Sequence, residues 1–207
     1  MIFMKNFINS FRRFINGLKR PSKKRNMRKL LERGETLDSY TFRDATEEDI
    51  PELGKLHAIT WAQTYTLGKS PNIKLRQYQW HKTFTEENDG SWFCILVVDK
   101  ANKLVGFAKG KIYKNEGSSE QHGDLNKIYL LSDHQRLGLG KKLFGYVVKR
   151  FLSKGVNDMV LFGIPQNPSC AFHEAMGGER LHSEKGMFDG GYHWTNLKKL
   201  AELCPVN

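Results

Sequence analysis

Apolar positions along the chain switch between a spacing of three to four and a spacing of two. Phe3, Met4, Phe7, Ile8, Phe11, Phe14, Ile15 and Leu18 fall at helical intervals, with Lys5, Arg12 and Arg13 on other faces. This predicts an amphipathic helix at the start of the chain. Gly17, Arg20 and Pro21 end it, and PSKKRNMRK (21–29) reads as a basic, polar linker. The body begins near Tyr40. YTFRDA (40–45) alternates like a short strand, and Thr46 followed by Glu47, Glu48 and Asp49 is an N-cap with an acid three residues on. Ile50, Leu53, Leu56, His57 and Ile59 continue that helix, and a second helix is predicted over 72–86. SWFCILVVD (91–99) and LVGFAKGKIY (104–113) read as strands, 115–123 as a loop, and DLNKIYLL (124–131) as a third strand of this group. Leu143, Phe144, Val147, Val148, Phe151 and Leu152 share one face of a long helix that Gly155 stops. DMVLFGI (158–164) reads as a strand, 168–176 as a helix ending at Gly177-Gly178, and two last strands flank Gly190-Gly191. The order βααβββαβαββ is an α/β (α+β) pattern, a mixed sheet covered by helices.

Length and charge divide the chain. Its 207 residues suit one domain with an appendage: a basic extension and linker over 1–37 and a domain over 38–204. Residues 1–33 hold eleven Lys/Arg against the single acid Glu32, whereas 34–207 hold 22 bases and 21 acids. The net charge of +11 therefore belongs to the extension, and it implies no specific nucleic-acid partner. The extension has three readings: a helix lying on an anionic membrane surface through residues 1–25, a transit-like presequence, or a segment docked on the domain or disordered alone. Cys94, Cys170 and Cys204 are scattered and odd in number. That excludes a disulfide framework and zinc spacing, and predicts a reducing, cytoplasmic setting, peripheral at the membrane if the extension binds there. No run approaches transmembrane length.

The stretch DHQRLGLGKKL (133–143) carries the chemistry. Two glycines, Gly138 and Gly140, stand where the long helix must start. A dinucleotide-binding fingerprint would need glycine at Leu143. A Walker A loop would need glycine at Gln135 and Ser/Thr at Lys142. The remaining pattern is strand, Gln-x-x-Gly-x-Gly, then a basic amphipathic helix. This resembles motif A of the GNAT superfamily of acyl-CoA-dependent N-acetyltransferases. NPSCAFHEAMGGERL (167–181) is similar to a second segment of that superfamily, TFRDATEEDIPEL (41–53) to its usual opening, and the stretch ending in Trp194 to its closing hairpin. The resemblance covers about residues 40–200.

The resemblance implies a GNAT-like fold and direct transfer of an acetyl group from acetyl-CoA, as cosubstrate and without metal, to an amine. The amides of Arg136, Leu137, Gly138, Leu139, Gly140 and Lys141, after Gln135, would face the CoA diphosphate. Bare backbone and the positive end of a helix suit an anion. The backbone of Tyr129 and Leu130 would pair with the pantetheine arm, Asn167 would bond it, and Phe172 would pack along it. Asp124 is the candidate base, at the place where many members carry glutamate. His173 stands where small members carry tyrosine, and is the candidate acid for the leaving thiolate. The expected acceptor is a primary amine of a small molecule. Trp61, Tyr65, Tyr78 and Trp80 are available to shape its site. A protein or peptide acceptor, or a non-catalytic acyl-CoA-binding module tethered to a membrane, are the alternatives. A homodimer is compatible with all of them.

Overall fold

The computed structural model describes residues 22–65, 72–86, 89–115 and 119–206. The amphipathic helix expected over the first twenty residues lies outside them. The described helices are α1 (Lys23–Glu32), α2 (Ile50–Tyr65), α3 (Ile73–Glu86), α4 (Leu139–Ser153), α5 (Cys170–Ala175) and α6 (Leu197–Leu203). The strands are β1 (Thr41–Asp44), β2 (Trp92–Val98), β3 (Leu104–Lys114), β4 (Gln121–Leu130), β5 (Met159–Phe162), β6 (Glu179–His182) and β7 (Phe188–Trp194). Among the described residues they form one mixed sheet of order β1-β2-β3-β4-β5-β7-β6. The β4–β5 pair is parallel and the others are antiparallel. A parallel pair needs a crossover, and α4 provides it.

Each face of the sheet is covered as the helical stripes predict. Leu143, Phe144, Val147, Val148 and Phe151 of α4 pack on Phe93, Leu125, Met159 and Trp194. On the other face Leu53 and Leu56 of α2 and Trp80 of α3 pack on Leu96 and Phe107. Gly54 lets α2 and α3 cross closely, since a Cβ there would stand 2.8 Å from the Gln77 backbone nitrogen.

Three expectations change. The basic linker is helical from Lys23, capped by Ser22, and Leu30 enters the core. A short charged helix of this kind is marginal alone and is ordered by the surface it docks against. Gly190 and Gly191 lie inside β7 rather than at a turn. Gly190 has φ +99°, and a Cβ there would collide with the Gly163 carbonyl, whose residue donates its N–H to Gly190 O at 3.1 Å. β4 begins at Gln121, three residues before the expected start. Residues 125 and 126 form a bulge, because Lys127 to Asp124 on β4 spans only Lys109 to Lys111 on β3.

Candidate active site

The bulge changes which edge of β4 points where. Leu131 donates its N–H to Val105 O at 2.9 Å. Alternation then turns the peptide groups of Tyr129 towards β3 and those of Ile128 and Leu130 away from it. On that far side β5 meets β4 only at Gly123↔Met159 and Asp124↔Val160. Beyond Asp124 the two strands part, leaving a wedge with Asp124 at its vertex. The expectation for Tyr129 is corrected: its backbone belongs to the β3 ladder, and Ile128 takes its place beside Leu130. The Leu130 carbonyl already accepts the Gln135 side-chain amide at 2.8 Å, so Leu130 offers its N–H.

Gln135 thus braces the end of β4 at the turn into α4. Ser132–His134 make one 3-10 turn and Gln135 is extended. Arg136 has φ +64° and Gly138 φ +94°, so the chain reverses twice in the left-handed region before α4 begins. Leu137 and Leu139 are buried and anchor the stretch by their side chains. The first amide of α4 with a backbone acceptor is that of Lys142, bonded to Gly138 O at 3.1 Å. Among the described residues no acceptor takes the amides of 136–141. This fits a diphosphate, for which bare N–H groups and the helix macrodipole are the usual receptor. The Lys142 ammonium sits over the Phe42 ring at 5.4 Å, whereas Arg136 and Lys141 are exposed cations of this stretch. Leu130 and Phe172 line the approach: a Cβ on Gly140 would stand 3.5 Å from each.

The Asp124 carboxylate is half-buried, with the Asn126 amide 3.4 Å away. Burial raises its carboxyl above the usual carboxylate range; Asn126, Lys127, Lys109 and Lys111 oppose that shift. Asn167 is committed locally. Its side-chain oxygen accepts the Ser169 N–H at 2.9 Å, and its amide donates to the Tyr65 hydroxyl at 3.1 Å. Tyr65 also hydrogen-bonds the partly buried Tyr129 phenol, whose pKa burial raises. Tyr65, Tyr129 and Asn167 thereby connect α2, β4 and the loop after β5. Of the four aromatic residues expected near an acceptor, Trp61 and Tyr65 meet at the end of α2 with ring centroids 5.4 Å apart and planes tilted by 42°, with Arg76 over Trp61. Trp80 is core, and Tyr78 faces solvent.

His173 is not placed as an exposed acid. It is 3 % exposed, packed against Phe172, Tyr192 and Trp194. Its Nδ1 has no partner among the described residues. Burial lowers its pKa to about 4, so the ring is neutral where an acid would have to be charged. His57, beneath Trp80, Phe107 and Tyr129, is lowered by burial to about 3. A histidine depressed on folding withholds protons that the unfolded chain takes up. The resulting stability is complete above the ordinary value of 6.5 and is lost as pH falls towards these folded values. For His173 the loss approaches about 3 kcal/mol. Melting temperature should therefore drop steeply from pH 7 to pH 5. The double variant His57→Phe/His173→Phe should flatten that slope by more than half; an unchanged slope would mean that other groups set the pH dependence.

Sequence reasoning missed one polar cluster. His122 Nδ1 lies 3.0 Å from both Asp158 oxygens, and His193 Nε2 lies 3.3 Å from Asp158 Oδ2. Val160 registers with both Asp124 and His193, so these side chains share a sheet face. No spacing in the chain announces the group, because only the sheet pairing assembles it. Among the described residues no His, Cys, Asp or Glu group is placed to hold a metal ion. No described helix is long and apolar enough to cross a membrane.

A parallel pair splayed at an acid, with bare amides at the mouth of the crossover helix, is the arrangement that the resemblance to acyl-CoA-dependent transferases implies. The model of the acetyltransferase (GNAT) family matches residues 53–177, and the chain belongs to that family. It is an acyl-CoA N-acyltransferase with acetyl-CoA as cosubstrate. An uncharacterized N-acetyltransferase of Bacillus subtilis is 28% identical over 175 residues, 79% of this chain and 97% of that one. A phosphinothricin N-acetyltransferase of Streptomyces viridochromogenes is 35% identical over 101 residues, 47% of this chain and 55% of that one. The fold matches the PaiA N-acetyltransferase of Thermoplasma acidophilum, solved with coenzyme A, with a TM-score of 0.62 at 18% identity, covering 76% of this chain and 99% of that one.

Proposed function

We propose that this acetyltransferase acts on the primary amine of a small molecule, with Asp124 as the base. The observation that carries the reading is the position of Asp124 at the vertex of the β4–β5 wedge. There its carboxyl is half-buried and more basic than usual. An amine near pKa ~10 is neutral in only about one molecule in a thousand at pH 7, a handicap of roughly 4 kcal/mol. A carboxylate reached directly or through one water removes that proton. The amine nitrogen then bonds the acetyl carbon, the carbon–sulfur bond breaks with its electron pair staying on sulfur, and the nitrogen loses its surplus proton to solvent. A thiol of pKa ~8.5 leaves unprotonated at pH 7 at a cost of only about 2 kcal/mol, so the neutral, buried His173 is not needed as the acid. The amides of 136–141 hold the diphosphate, and Ile128 and Leu130 offer the arm a strand edge. The aromatic step of Trp61 and Tyr65 beside the wedge favours a compact acceptor, as does the similarity to an enzyme named for phosphinothricin.

The test is thiol release from acetyl-CoA by the full chain. A panel of small primary amines, amino acids among them, is compared with peptides bearing free N-termini or lysines. Release with small amines and none with peptides is expected. Release with peptides alone would overturn the acceptor class. Tight CoA binding without release to any amine would favour a binding module.

A further inference from the structure

Helix α1 lies outside the matched family region, yet it grips the turn that launches the phosphate-facing stretch. Asn26 is 0 % exposed. Its side-chain amide donates one hydrogen to Ser132 O and the other to Gln135 O, both at 2.8 Å. These two carbonyls bracket the 3-10 turn Ser132–His134, so one planar fork fixes the turn's two ends. Lys29 bonds the Asp133 carboxylate at 2.6 Å. Just beyond the helix, Glu35 accepts from Arg33 at 2.8 Å and from the Tyr40 hydroxyl at 2.9 Å, and Arg33 lies 3.4 Å from His134 Nε2. From α2, Gln63 accepts the Ser132 N–H at 3.1 Å. Every residue from Ser132 to Gln135 is thereby tied to a neighbouring element or to the end of β4.

Such ties matter because the next residue holds an unfavourable backbone conformation. Arg136 sits at φ +64°, which costs a non-glycine residue roughly 1–2 kcal/mol and persists only when its surroundings impose it. Hydrophobic docking of α1 needs only Leu30 and Met27. A buried asparagine adds no apolar contact to that docking, and is tolerated because its hydrogen bonds are made. We propose that α1 is part of the acetyl-CoA site, and that Asn26 is a positioning residue that sets diphosphate affinity without touching the ligand. With the fork in place the amides of 136–141 are aimed before the ligand arrives. Without it, ordering the stretch is charged against binding. This rests on the phosphate-facing reading of 136–141.

The experiment measures CoA binding by calorimetry on the full chain, with melting temperature and steady-state kinetics alongside. Asn26→Asp keeps the shape but replaces the two donors by acceptors facing carbonyls. Asn26→Leu removes the donors with little change of volume. Each should weaken CoA and raise KM for acetyl-CoA by about tenfold or more while kcat at saturation stays within about twofold, the signature of lost uniform binding. Lys29→Met, on the half-exposed side, should weaken CoA about threefold with the fold intact. Leu53→Ala, in the separate core cluster on the other face of the sheet, is the control: it should lower the melting temperature yet leave affinity unchanged well below it. If wild-type protein does not bind CoA, the phosphate-facing reading fails. If wild type binds and folded Asn26 and Lys29 variants bind equally well, α1 is only a structural appendage. Should the Asn26 variants not fold, the Lys29→Met result decides alone.

Discussion

Asp124→Asn should lower kcat at pH 7 by about 10²- to 10³-fold, the range expected for loss of a positioned general base, with KM for acetyl-CoA unchanged. The amide has the size of the carboxyl and can still meet Asn126, but it cannot accept a proton. Two further readings separate this from damage to the fold. Burial raises the Asp124 pKa, so the folded state disfavours its charge at pH 7. Removing that charge should leave the melting temperature unchanged or higher. The deficit should also shrink as pH rises from 7 towards 9.5, because solvent then deprotonates the amine. Asp124→Glu, reaching one carbon further, should keep part of the activity. If the asparagine variant retains more than half of wild-type kcat at pH 7, Asp124 is not the base.

Gly140→Ala should have the second largest effect, again without loss of stability. Gly140 lies in the first turn of α4 and has no left-handed φ. A Cβ there meets Leu130 and Phe172 at ordinary contact distance, 3.5 Å, so the protein accepts it. Alanine gains up to about 1 kcal/mol of helix propensity, and the melting temperature should hold or rise. The same methyl stands in the lane between Leu130, Phe172 and the bare amides, and CoA affinity should fall about 100-fold, close to 3 kcal/mol. Gly138→Ala gives the contrast. Its Cβ would meet nothing within 4 Å, but φ is +94°, so stability falls through backbone strain. Calorimetry with CoA and thermal melts on both variants check the pair. Unaltered affinity in Gly140→Ala would mean the ligand does not pass that lane.

Much of this architecture was legible because periodicity is strong where burial is one-sided. The α4 stripe from Leu143 to Phe151 and the run Trp92–Val98 announced themselves, and the glycines at 138 and 140 marked the mouth of α4. Other features were hidden for identifiable reasons. KKRNMRKLLE has too few apolar positions to read as a helix, and its order comes from Asn26 and Leu30 meeting residues about a hundred positions away. The β4 bulge exchanged the edges of Tyr129 and Ile128, and two-residue alternation cannot show a single inserted residue. His173 occupies the expected place in its segment, but Tyr192 and Trp194 decide its burial. His122, Asp158 and His193 meet only through the β4–β5–β7 pairing.

The near-severed junction between β4 and β5 has a thermodynamic corollary. With two register pairs joining one half of the sheet to the other, the interstrand ladder between β4 and β5 is short. On the proposed reading, a cosubstrate arm along Ile128 and Leu130 would add hydrogen bonds at that open edge. Nucleotide thioester would then act as a splint as well as a reactant, adding about 2.7 kcal/mol of resistance to unfolding at a hundredfold excess over its Kd. The lifetime of the folded enzyme would thereby be coupled to the supply of its own acyl donor.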